Sequence, residues 1–378
     1  MRVVIVGSGI MGLSSAYNLA KLGVKDIVIL EKEYLSYGST VRSASRFRVH
    51  FWTEENSKFA IESKKIMVKL SSITGWNIIL TTGGYLWLLF TEEQVKAFRE
   101  KNKMWERLGI PGEFLSPSEI KERYPYIYTD DVLEGFFGPQ NGSCFHNYVA
   151  FGYYKAAARL GAKLFERSPV ERVLVENNKV VGVMLPNGKV EADIVLLSAG
   201  AWTDELLRGL GIELPTEPER KEIALTESYK YFIEPLIIDF GTSAYIGQAL
   251  KGEILGSIEV PVKSGLLPLE NTLDFLIKWA RAVYKRFPVL RGAKIMRCWS
   301  GYYSMSADSS HIMGRDPDWP EGLYVAYGDS GHGFMMGPLI GKLLAKNILY
   351  GEVDELMRPF LPTRFKEGKL VPEKLVIG

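Results

Sequence analysis

The sequence of 378 residues contains only two cysteines, Cys144 and Cys298, and only four histidines. So few thiol and imidazole groups leave no cluster of ligands for a metal site. So low a cysteine content fits a reducing compartment, so we expect a cytoplasmic protein. The formal net charge is only +2. Because the sequence also has no long basic stripe, nucleic acid is not an expected partner.

Long hydrophobic runs are also missing. The longest apolar stretches, such as Tyr85–Phe90, have the length of a β-strand and are far too short to cross a membrane. The apolar run at the N-terminus contains three glycines and no small-residue cleavage site, so we interpret it as a strand and not as a signal peptide. Since 47% of the residues are hydrophobic and 24% are charged, the chain can bury the core of one large domain or of two domains.

The N-terminal segment predicts a β-α-β unit. Arg2–Val6 has the composition of a buried parallel strand, and a helix is expected from about Met11 to Leu22. A second apolar strand, Asp26–Leu30, ends at the acidic residue Glu31. A glycine-rich turn between the first strand and the helix completes the pattern of a dinucleotide site.

The glycine-rich turn has the form G-x-G-x-x-G, and each glycine has a physical role. Gly7 would permit the tight turn, Gly9 would let a pyrophosphate approach the backbone, and Gly12 would let the helix pack closely on the strand. The carboxylate of Glu31 would accept hydrogen bonds from a ribose. An acid at this position favours FAD or NAD over NADP.

The rest of the sequence predicts an α/β fold. A β-α-β start, an antiparallel middle and a return to parallel strands imply that one domain is built from pieces of both ends of the chain. We expect one domain to comprise residues 1–84, 140–215 and 300–378 and a second domain to comprise residues 85–139 and 216–299. Helices are predicted over Glu54–Thr74, Glu92–Leu108, Tyr148–Leu160, Asn271–Phe287 and Gly337–Leu349, and strands over Lys179–Leu185, Ile194–Leu197, Ile295–Tyr303 and Leu323–Tyr327.

Four separated segments resemble one family over almost the whole chain. They are Gly7–Gly12 with Glu31, the polar loop from Gly38 to Arg48, the segment Leu197–Trp202, and the pair Trp299–Tyr303 and Gly328–Met336. The chain is thereby similar to the flavin-dependent amine and amino-acid oxidoreductases of the D-amino-acid-oxidase superfamily. Within that superfamily it resembles the glycine and sarcosine oxidases and, above all, the β subunits of archaeal dye-linked L-proline dehydrogenase.

The resemblance implies FAD as the cofactor. It implies a Rossmann-like FAD-binding domain of the glutathione-reductase type beside a substrate domain with a mixed or antiparallel sheet. In such proteins the backbone N–H groups of a second glycine-rich loop before a helix stabilise negative charge on the reduced flavin. The implied cofactor residues are Gly7, Gly9, Ile10, Met11, Gly12, Glu31, Lys32, Ser39, Thr40, Arg42, Ser43, Val170, Ala199, Gly200, Trp202, Gly301, Gly331, His332, Gly333, Phe334 and Met335.

The resemblance also implies oxidation of the Cα–N bond of a small amino acid by hydride transfer to the flavin, where positioning and electrostatics carry catalysis. Arg48 is the expected partner of the substrate carboxylate, because related sarcosine oxidases place an arginine there. If the segment is extended, Arg46, Arg48 and His50 share a face; the alternative is a surface strand of solvated charges. Tyr245 and His332 are the further catalytic candidates, and the substrate-binding candidates are Arg48, Tyr245, Tyr302 and Met335.

Three departures from the oxidase pattern refine the expected function. Gly301 stands where oxidases with a covalent flavin have a cysteine, which implies non-covalent FAD. Met335 replaces a lysine that contacts the carboxylate, which leaves an apolar wall suited to a secondary amine such as L-proline or sarcosine. The strand Glu253–Glu259 lacks the lysine that activates oxygen, which favours a dehydrogenase. An oxygen-using sarcosine or glycine oxidase, an FAD subunit that merely relays electrons, and an NAD-dependent enzyme are the alternatives.

The missing lysine implies that an electron acceptor docks near the flavin. The tail from Pro359 to Gly378 is apolar and irregular, as in β subunits that assemble with an electron-accepting subunit, so we expect a hetero-oligomer. The alternative is a tail that packs on its own chain.

Overall fold

The computed structural model describes residues 1–261 and 264–376. None of the described helices is both long and apolar enough to span a lipid bilayer. The described helices are α1 (Ile10–Lys21), α2 (Glu54–Thr74), α3 (Glu92–Arg107), α4 (Pro117–Arg123), α5 (His146–Arg159), α6 (Thr203–Arg208), α7 (Leu273–Arg286), α8 (Gly333–Tyr350) and α9 (Arg364–Glu367). The described strands are β1 (Arg2–Val6), β2 (Asp26–Leu30), β3 (Arg46–Phe47), β4 (Tyr85–Leu89), β5 (Glu113–Leu115), β6 (Glu134–Gly138), β7 (Gly142–Ser143), β8 (Lys163–Phe165), β9 (Arg172–Glu176), β10 (Lys179–Leu185), β11 (Gly188–Glu191), β12 (Ile194–Leu197), β13 (Thr216–Ser228), β14 (Leu236–Asp239), β15 (Ala244–Gln248), β16 (Glu253–Ile258), β17 (Ile295–Ser306), β18 (Ile312–Gly314) and β19 (Leu323–Tyr327).

A six-stranded sheet has the order β18-β19-β12-β1-β2-β8. All neighbouring strands in it are parallel except β18, which is antiparallel to β19. Val6 at the end of β1 pairs with Leu30 of β2 and with Leu197 of β12. The carboxyl ends of these three strands therefore meet at one edge, where ligands of open α/β sheets bind. The predicted α/β fold class is confirmed.

A second, eight-stranded sheet has the order β17-β13-β16-β15-β14-β4-β6-β5, and its strands are antiparallel except for the pair β14 and β4. The long ladder between β13 and β17 sets Tyr303 opposite Glu219 and Gly301 opposite Lys221. Strand β17 continues to Ser306 and so crosses the predicted boundary between residues 299 and 300. The division of the chain into two domains stays a prediction.

Helix α8 lies against α1. A Cβ atom at Gly341 would be 2.2 Å from the Oγ of Ser14, so a glycine is needed where the two helices touch. The helix begins at Gly333, four residues before the predicted start, because the carbonyl of His332 already accepts hydrogen bonds from the N–H groups of Met335 and Met336. The early start places the second glycine-rich loop at a helix N-terminus beside the edge of the six-stranded sheet.

The C-terminal tail packs on its own chain, so its apolar composition is no longer evidence for a docking partner. Val371, Glu373 and Leu375 are buried, whereas the intervening Pro372 and Lys374 are exposed. This alternation is that of an extended segment with one face against the protein. Residues 377 and 378 of the predicted docking tail lie outside the described residues.

Candidate active site

A cavity of about 570 Å³ lies where β1, β2 and β12 end, and residues of β13, β15, β16 and β17 close its other side. Its volume falls within the range of small-molecule and cofactor sites, about 300–1,000 Å³. All the residues that the sequence assigned to cofactor or substrate line this cavity, with the exception of Gly12. Residues from both sheets therefore surround one cavity.

The first glycine-rich turn is shaped by contacts that exclude side chains. Gly7 has a φ of +103°, and a Cβ atom there would lie 2.5 Å from the carbonyl oxygen of Ser198. A Cβ atom at Gly12 would lie 2.2 Å from the carbonyl oxygen of Gly7. Gly12 thus supports the turn from behind the cavity, by letting α1 pack against it, while Gly7 and Gly9 line the cavity itself.

Glu31 is held beside this turn. It is buried, and its carboxylate accepts hydrogen bonds from the N–H of Ser8 at 2.9 Å, the hydroxyl of Ser8 at 2.7 Å and the N–H of Glu33 at 3.1 Å. A carboxylate can accept about four hydrogen bonds. One position therefore remains on an acid that lines the cavity.

The polar loop is fixed to both neighbouring elements. The hydroxyl of Thr40 accepts a hydrogen bond from the N–H of Ile10 at 3.0 Å, and the hydroxyl of Ser39 donates to the carbonyl of Tyr302 at 2.6 Å. The guanidinium of Arg42 lies 4.4 Å from the ring centre of Tyr37 and donates to the carbonyl of Gly38. The loop is therefore an ordered wall of the cavity.

Asp329 caps the start of α8. Its Oδ2 accepts a hydrogen bond from the N–H of Gly333 at 2.8 Å, and burial raises the pKa of this carboxyl. Gly331 has a φ of +85°, and a Cβ atom there would strike the ring of Tyr303 at 2.4 Å. The loop of Gly331 and Gly333 can therefore approach the cavity only as glycines.

Arg46 and Arg48 line the same cavity, and among residues 1–261 and 264–376 neither has a carboxylate as a hydrogen-bond partner. In the described residues, Arg46 Nη2 donates to the carbonyl of Gln248 at 3.0 Å, and its buried Nε has no hydrogen-bond partner. Burial lowers the pKa of both Arg46 and Arg48. Guanidinium groups removed from water are costly unless an anion offsets the loss of hydration.

Arg48 is held firmly in place. Nη1 donates to the carbonyl of His50 at 3.1 Å, and Nη2 bonds the carbonyl of Leu375 and lies 2.9 Å from Nε2 of His332. The guanidinium also lies 4.1 Å from the ring centre of Phe51. Within the described part of the chain, these contacts use three of the five N–H donors of an arginine. One N–H on Nη1 and the N–H on Nε remain for a ligand.

His332 is a hydrogen-bond partner of Arg48. A guanidinium has no acceptor, so Nε2 of His332 must accept the hydrogen bond and the imidazole is neutral. Burial, and then the nearby charge of Arg48, lower the pKa of His332 well below its usual value. The imidazole nitrogen that meets Arg48 is therefore occupied, and the geometry favours orientation of Arg48 over proton transfer.

Tyrosines cover another part of the cavity. Tyr245, Tyr85 and Tyr303 all line it, and burial raises the pKa of each phenol, to about 12 for Tyr303. These phenols are neutral at physiological pH. Ser257, which pairs with Tyr245 across β15 and β16, also lines the cavity, and its buried hydroxyl has no hydrogen-bond partner in the described residues. The cavity wall thus combines aromatic surface with a spare hydroxyl.

One sequence interpretation needs correction, and one candidate is already hydrogen-bonded. The hydroxyl of Tyr302 bonds the carbonyl of Leu267, and its ring packs edge-on against Trp202 at 5.4 Å. Tyr302 lines the cavity, and its role in substrate binding stays a prediction. His50 does not line the cavity with Arg46 and Arg48. It lies among Trp87, Trp105 and Phe136 in the aromatic core, because β3 ends at Phe47 and the chain is no longer a regular strand at residue 50.

The sequence analysis missed several residues that line the cavity, and Tyr303 and Tyr85 are two of them. Tyr303 shares a strand face with Gly301, so the two-residue period of β17 could have identified it. Three more are Lys221, Ser257 and Asp329. Nothing local distinguishes Lys221 or Ser257, since their place depends on strand pairing. Asp329 is the acid that directly precedes the loop Ser330–Gly333, where it could have been recognised as a helix cap.

Several known proteins are similar to this chain. The family profile described as FAD dependent oxidoreductase matches residues 2–347. A solved L-proline dehydrogenase from P. horikoshii is 31% identical and has a TM-score of 0.92, with 98% of this chain and 99% of that chain covered. The sarcosine oxidase subunit beta of Arthrobacter sp. is 26% identical over 98% of this chain and 92% of its own.

A glycine oxidase from Bacillus cereus, 23% identical with a TM-score of 0.84 over 94% of this chain and 97% of its own, shares the fold. The site itself fits FAD, because the glycine turns leave backbone open to a phosphate and Glu31 keeps an acceptor for a ribose hydroxyl. With the profile spanning residues 2–347, this chain belongs to the family of FAD-dependent oxidoreductases.

Proposed function

We propose that this protein oxidises the Cα–N bond of a small amino acid, preferably a secondary amine such as L-proline or sarcosine, and acts as a dehydrogenase. The observation that carries the proposal is the half-buried Arg46 together with the buried Arg48, two cations without a carboxylate partner in the described residues, in a cavity that also contains both glycine-rich loops. A substrate carboxylate would offset their burial. The names of the proline dehydrogenase and sarcosine oxidase relatives support this substrate class.

FAD would be held by the residues that surround the glycine turns. When bound, FAD accepts the hydride equivalent that leaves the substrate α-carbon. The residues proposed to hold it are Gly7, Gly9, Ile10, Met11, Glu31, Lys32, Ser39, Thr40, Arg42, Ser43, Val170, Ala199, Gly200, Trp202, Gly301, Gly331, His332, Gly333, Phe334 and Met335.

The chain's own residues would bind and orient the amino acid. The free N–H donors of Arg48 would bind the carboxylate, and His332 would fix the guanidinium. Tyr245 and Tyr303 are neutral and would cover the substrate with aromatic surface, which excludes water. Met335 would supply an apolar wall for a ring or an N-methyl group. Its sulfur accepts a hydrogen bond from the backbone N–H of Arg48 at 3.4 Å.

A direct test is anaerobic titration of the purified yellow protein with proline, sarcosine and glycine. We expect one of these amino acids to bleach the flavin colour at stoichiometric amounts. A protein that none of them bleaches would contradict the proposal and favour a subunit that relays electrons from a substrate site elsewhere.

Lys221 supports a second candidate function, an oxygen-using sarcosine or glycine oxidase. Strand β16 has no lysine, but Lys221 of β13 lines the cavity, 5.7 Å from the ring centre of Tyr303 and 3.3 Å from Glu219. Admission of air after the anaerobic titration separates the two candidates. Slow return of colour supports the dehydrogenase, and rapid return with formation of peroxide supports the oxidase.

We further propose that the protein works in the cytoplasm in a hetero-oligomer with an electron-accepting subunit. The relatives named sarcosine oxidase subunit beta support this arrangement by name. Affinity purification from the native organism should recover a second flavoprotein or iron–sulfur subunit. Recovery of a homogeneous single chain with full activity towards a dye would contradict the proposal.

FAD is expected to be bound without a covalent link. Gly301 offers no thiol, the exposed Cys298 lies on the opposite face of β17, and the buried Cys144 does not line the cavity. Precipitation of the protein with acid should therefore release all the yellow colour into the supernatant. Colour that remains in the pellet after washing would disprove this prediction.

Replacing Glu31 by alanine is expected to weaken FAD binding by about 10- to 150-fold, or about 1.5–3 kcal/mol, because a ribose hydroxyl loses a charged acceptor. Fluorescence titration of the apoprotein with FAD measures the affinity. Glu33→Ala is the matched control, since this neighbouring carboxylate does not line the cavity. Equal affinities of the two variants would mean that another group binds the ribose.

A further inference from the structure

The segment Val371–Leu375, here called the C-terminal strap, reaches the arginine site from outside the stretch that the family profile matches, residues 2–347. The strap is anchored at its start: the N–H of Val371 donates to Asp308 at 2.9 Å, and the hydroxyl of Ser310 donates to the carbonyl of Val371 at 2.6 Å. The N–H of Glu373 donates to the carbonyl of Asp308 at 2.8 Å. The strap is therefore an ordered part of the fold.

Glu373 joins the strap to the segment that carries Arg48. Its carboxylate is buried and accepts hydrogen bonds from the N–H groups of Trp52 at 2.9 Å and Thr53 at 3.2 Å, at the start of α2. The carboxylate also accepts a hydrogen bond from the N–H of Leu375 at 2.9 Å, which fixes the direction of the carbonyl of Leu375. An anion at a helix N-terminus is further stabilised by the helix dipole.

The strap ends on the guanidinium itself. The carbonyl of Leu375 accepts a hydrogen bond from Nη2 of Arg48, the same nitrogen that meets His332. With both Nη2 hydrogens occupied, the N–H on Nε and the second N–H on Nη1 have no hydrogen-bond partner among residues 1–261 and 264–376. The negative charge of Glu373 also partly offsets the lowering of the Arg48 pKa by burial.

We propose that the C-terminal strap positions Arg48 for the substrate carboxylate, with Glu373 as the positioning residue and the Leu375 carbonyl as the contact. The inference rests on the proposed function, because it assumes that Arg48 binds the carboxylate. It adds a specificity element that the family profile does not cover. The strap selects for a carboxylate by holding the guanidinium in one orientation and does not touch the reacting atoms.

Glu373→Gln tests the proposal. Both carboxylate oxygens of Glu373 accept hydrogen bonds from N–H groups. In glutamine, an NH₂ group takes the place of one oxygen and would face an N–H donor, so the strap would be released. We expect KM for the preferred amino acid to rise about tenfold while kcat changes less, since a bond that orients a charged group is lost. Oxidation of the amine without the carboxylate, pyrrolidine for proline, should be unchanged. Lys374→Gln, at an exposed position of the same strap, is the matched control.

A binding measurement does not depend on turnover. The Kd of cyclopentanecarboxylate, measured calorimetrically on the FAD-loaded protein, should rise about tenfold in Glu373→Gln. A chain that ends at Leu370 removes the whole strap and should show the same selective loss. It provides the test if Glu373→Gln does not fold.

The outcomes separate this inference from the proposed function. The strap inference is overturned if a folded strap variant has an unchanged Kd and KM. It is also overturned if the variant loses activity towards proline and pyrrolidine equally, because that result indicates a general structural role. If Arg48→Met itself binds cyclopentanecarboxylate like the wild-type protein, the carboxylate site is elsewhere, and both the proposed site and the inference are rejected.

Discussion

Arg48→Met is expected to lower kcat/KM for the preferred amino acid by about 30- to 4,000-fold, the equivalent of the 2–5 kcal/mol that removal of one partner from a desolvated charge pair typically costs. FAD should stay bound, because Gly7, Gly9 and Glu31 make no hydrogen bond to the Arg48 side chain in the described residues. Anaerobic rapid mixing over a range of amino-acid concentrations measures the loss. The flavin content of the purified variant gives its occupancy.

The control for this prediction is a substrate without the carboxylate. If Arg48 acts on the carboxylate, the variant should oxidise pyrrolidine as the wild-type protein does and lose only its preference for proline. Arg46→Met tests the second guanidinium of the cavity in the same way. A variant at Arg48 that keeps the wild-type KM for the amino acid would show that Arg48 is not the carboxylate site, and a selective loss in Arg46→Met would then assign it to Arg46.

The cofactor half of the site could be predicted from sequence because its geometry is local. Gly7, Gly9 and Glu31 follow two strands that pair in parallel, and the ends of such strands must meet at one edge. Gly331 and Gly333 precede a helix directly. In each case the residues lie only a few positions in the sequence from the strand or helix that positions them. The motif itself therefore indicates the local structure.

The substrate half depends on contacts between distant segments. The carbonyl that orients Arg48 comes from Leu375, 327 residues later in the chain. The choice between Tyr302 and Tyr303 depends on which face of β17 meets the cavity, and a one-residue change in register exchanges the two faces. Neither fact is encoded near Arg48 or near the tyrosines, so the resemblance to a family identified the region but not each side chain.

The tail shows how composition alone can mislead. Its apolar residues suggested a surface for a partner, but Val371 and Leu375 are each buried in the chain itself. The two-residue alternation of buried and exposed positions was not visible in the sequence as alternating apolar residues, because the buried position between Pro372 and Lys374 is Glu373. An extended segment with one apolar face packs equally well on its own chain or on another subunit, so only the folded structure distinguishes the two.

Acid is expected to destabilise this protein strongly below about pH 6.5, through its four histidines. Burial is the largest cause in each case, and it lowers the pKa of His50 and His146 to about 4, that of His311 to about 3 and that of His332 well below its usual value. Between these values and the unfolded pKa of about 6.5, the unfolded chain binds protons that the folded protein does not. The free energy of unfolding must therefore fall as the pH falls.

The expected loss is large. At pH 5 each of His50, His146 and His311 should cost about 2 kcal/mol relative to pH 7, and the three together about 6 kcal/mol, compared with total stabilities of about 5–15 kcal/mol for folded proteins. Urea unfolding of the FAD-loaded protein at pH 7, 6 and 5 measures the loss. Asp308, whose carboxyl has a lowered pKa, loses its contribution only below its unfolded pKa of 3.8, so it leaves this window unaffected.

His311→Phe isolates one histidine from the other three. The imidazole of His311 is stacked on Phe360 with ring centres 3.9 Å apart, and its Nε2 has no hydrogen-bond partner among residues 1–261 and 264–376. A phenyl ring should keep the stacking and cannot bind a proton, so the variant should lose about 2 kcal/mol less than the wild-type protein between pH 7 and pH 5. Equal losses in the two proteins would mean that His311 is protonated in the folded state or is not titrated on unfolding, and the histidine explanation of the acid sensitivity would fail at this residue.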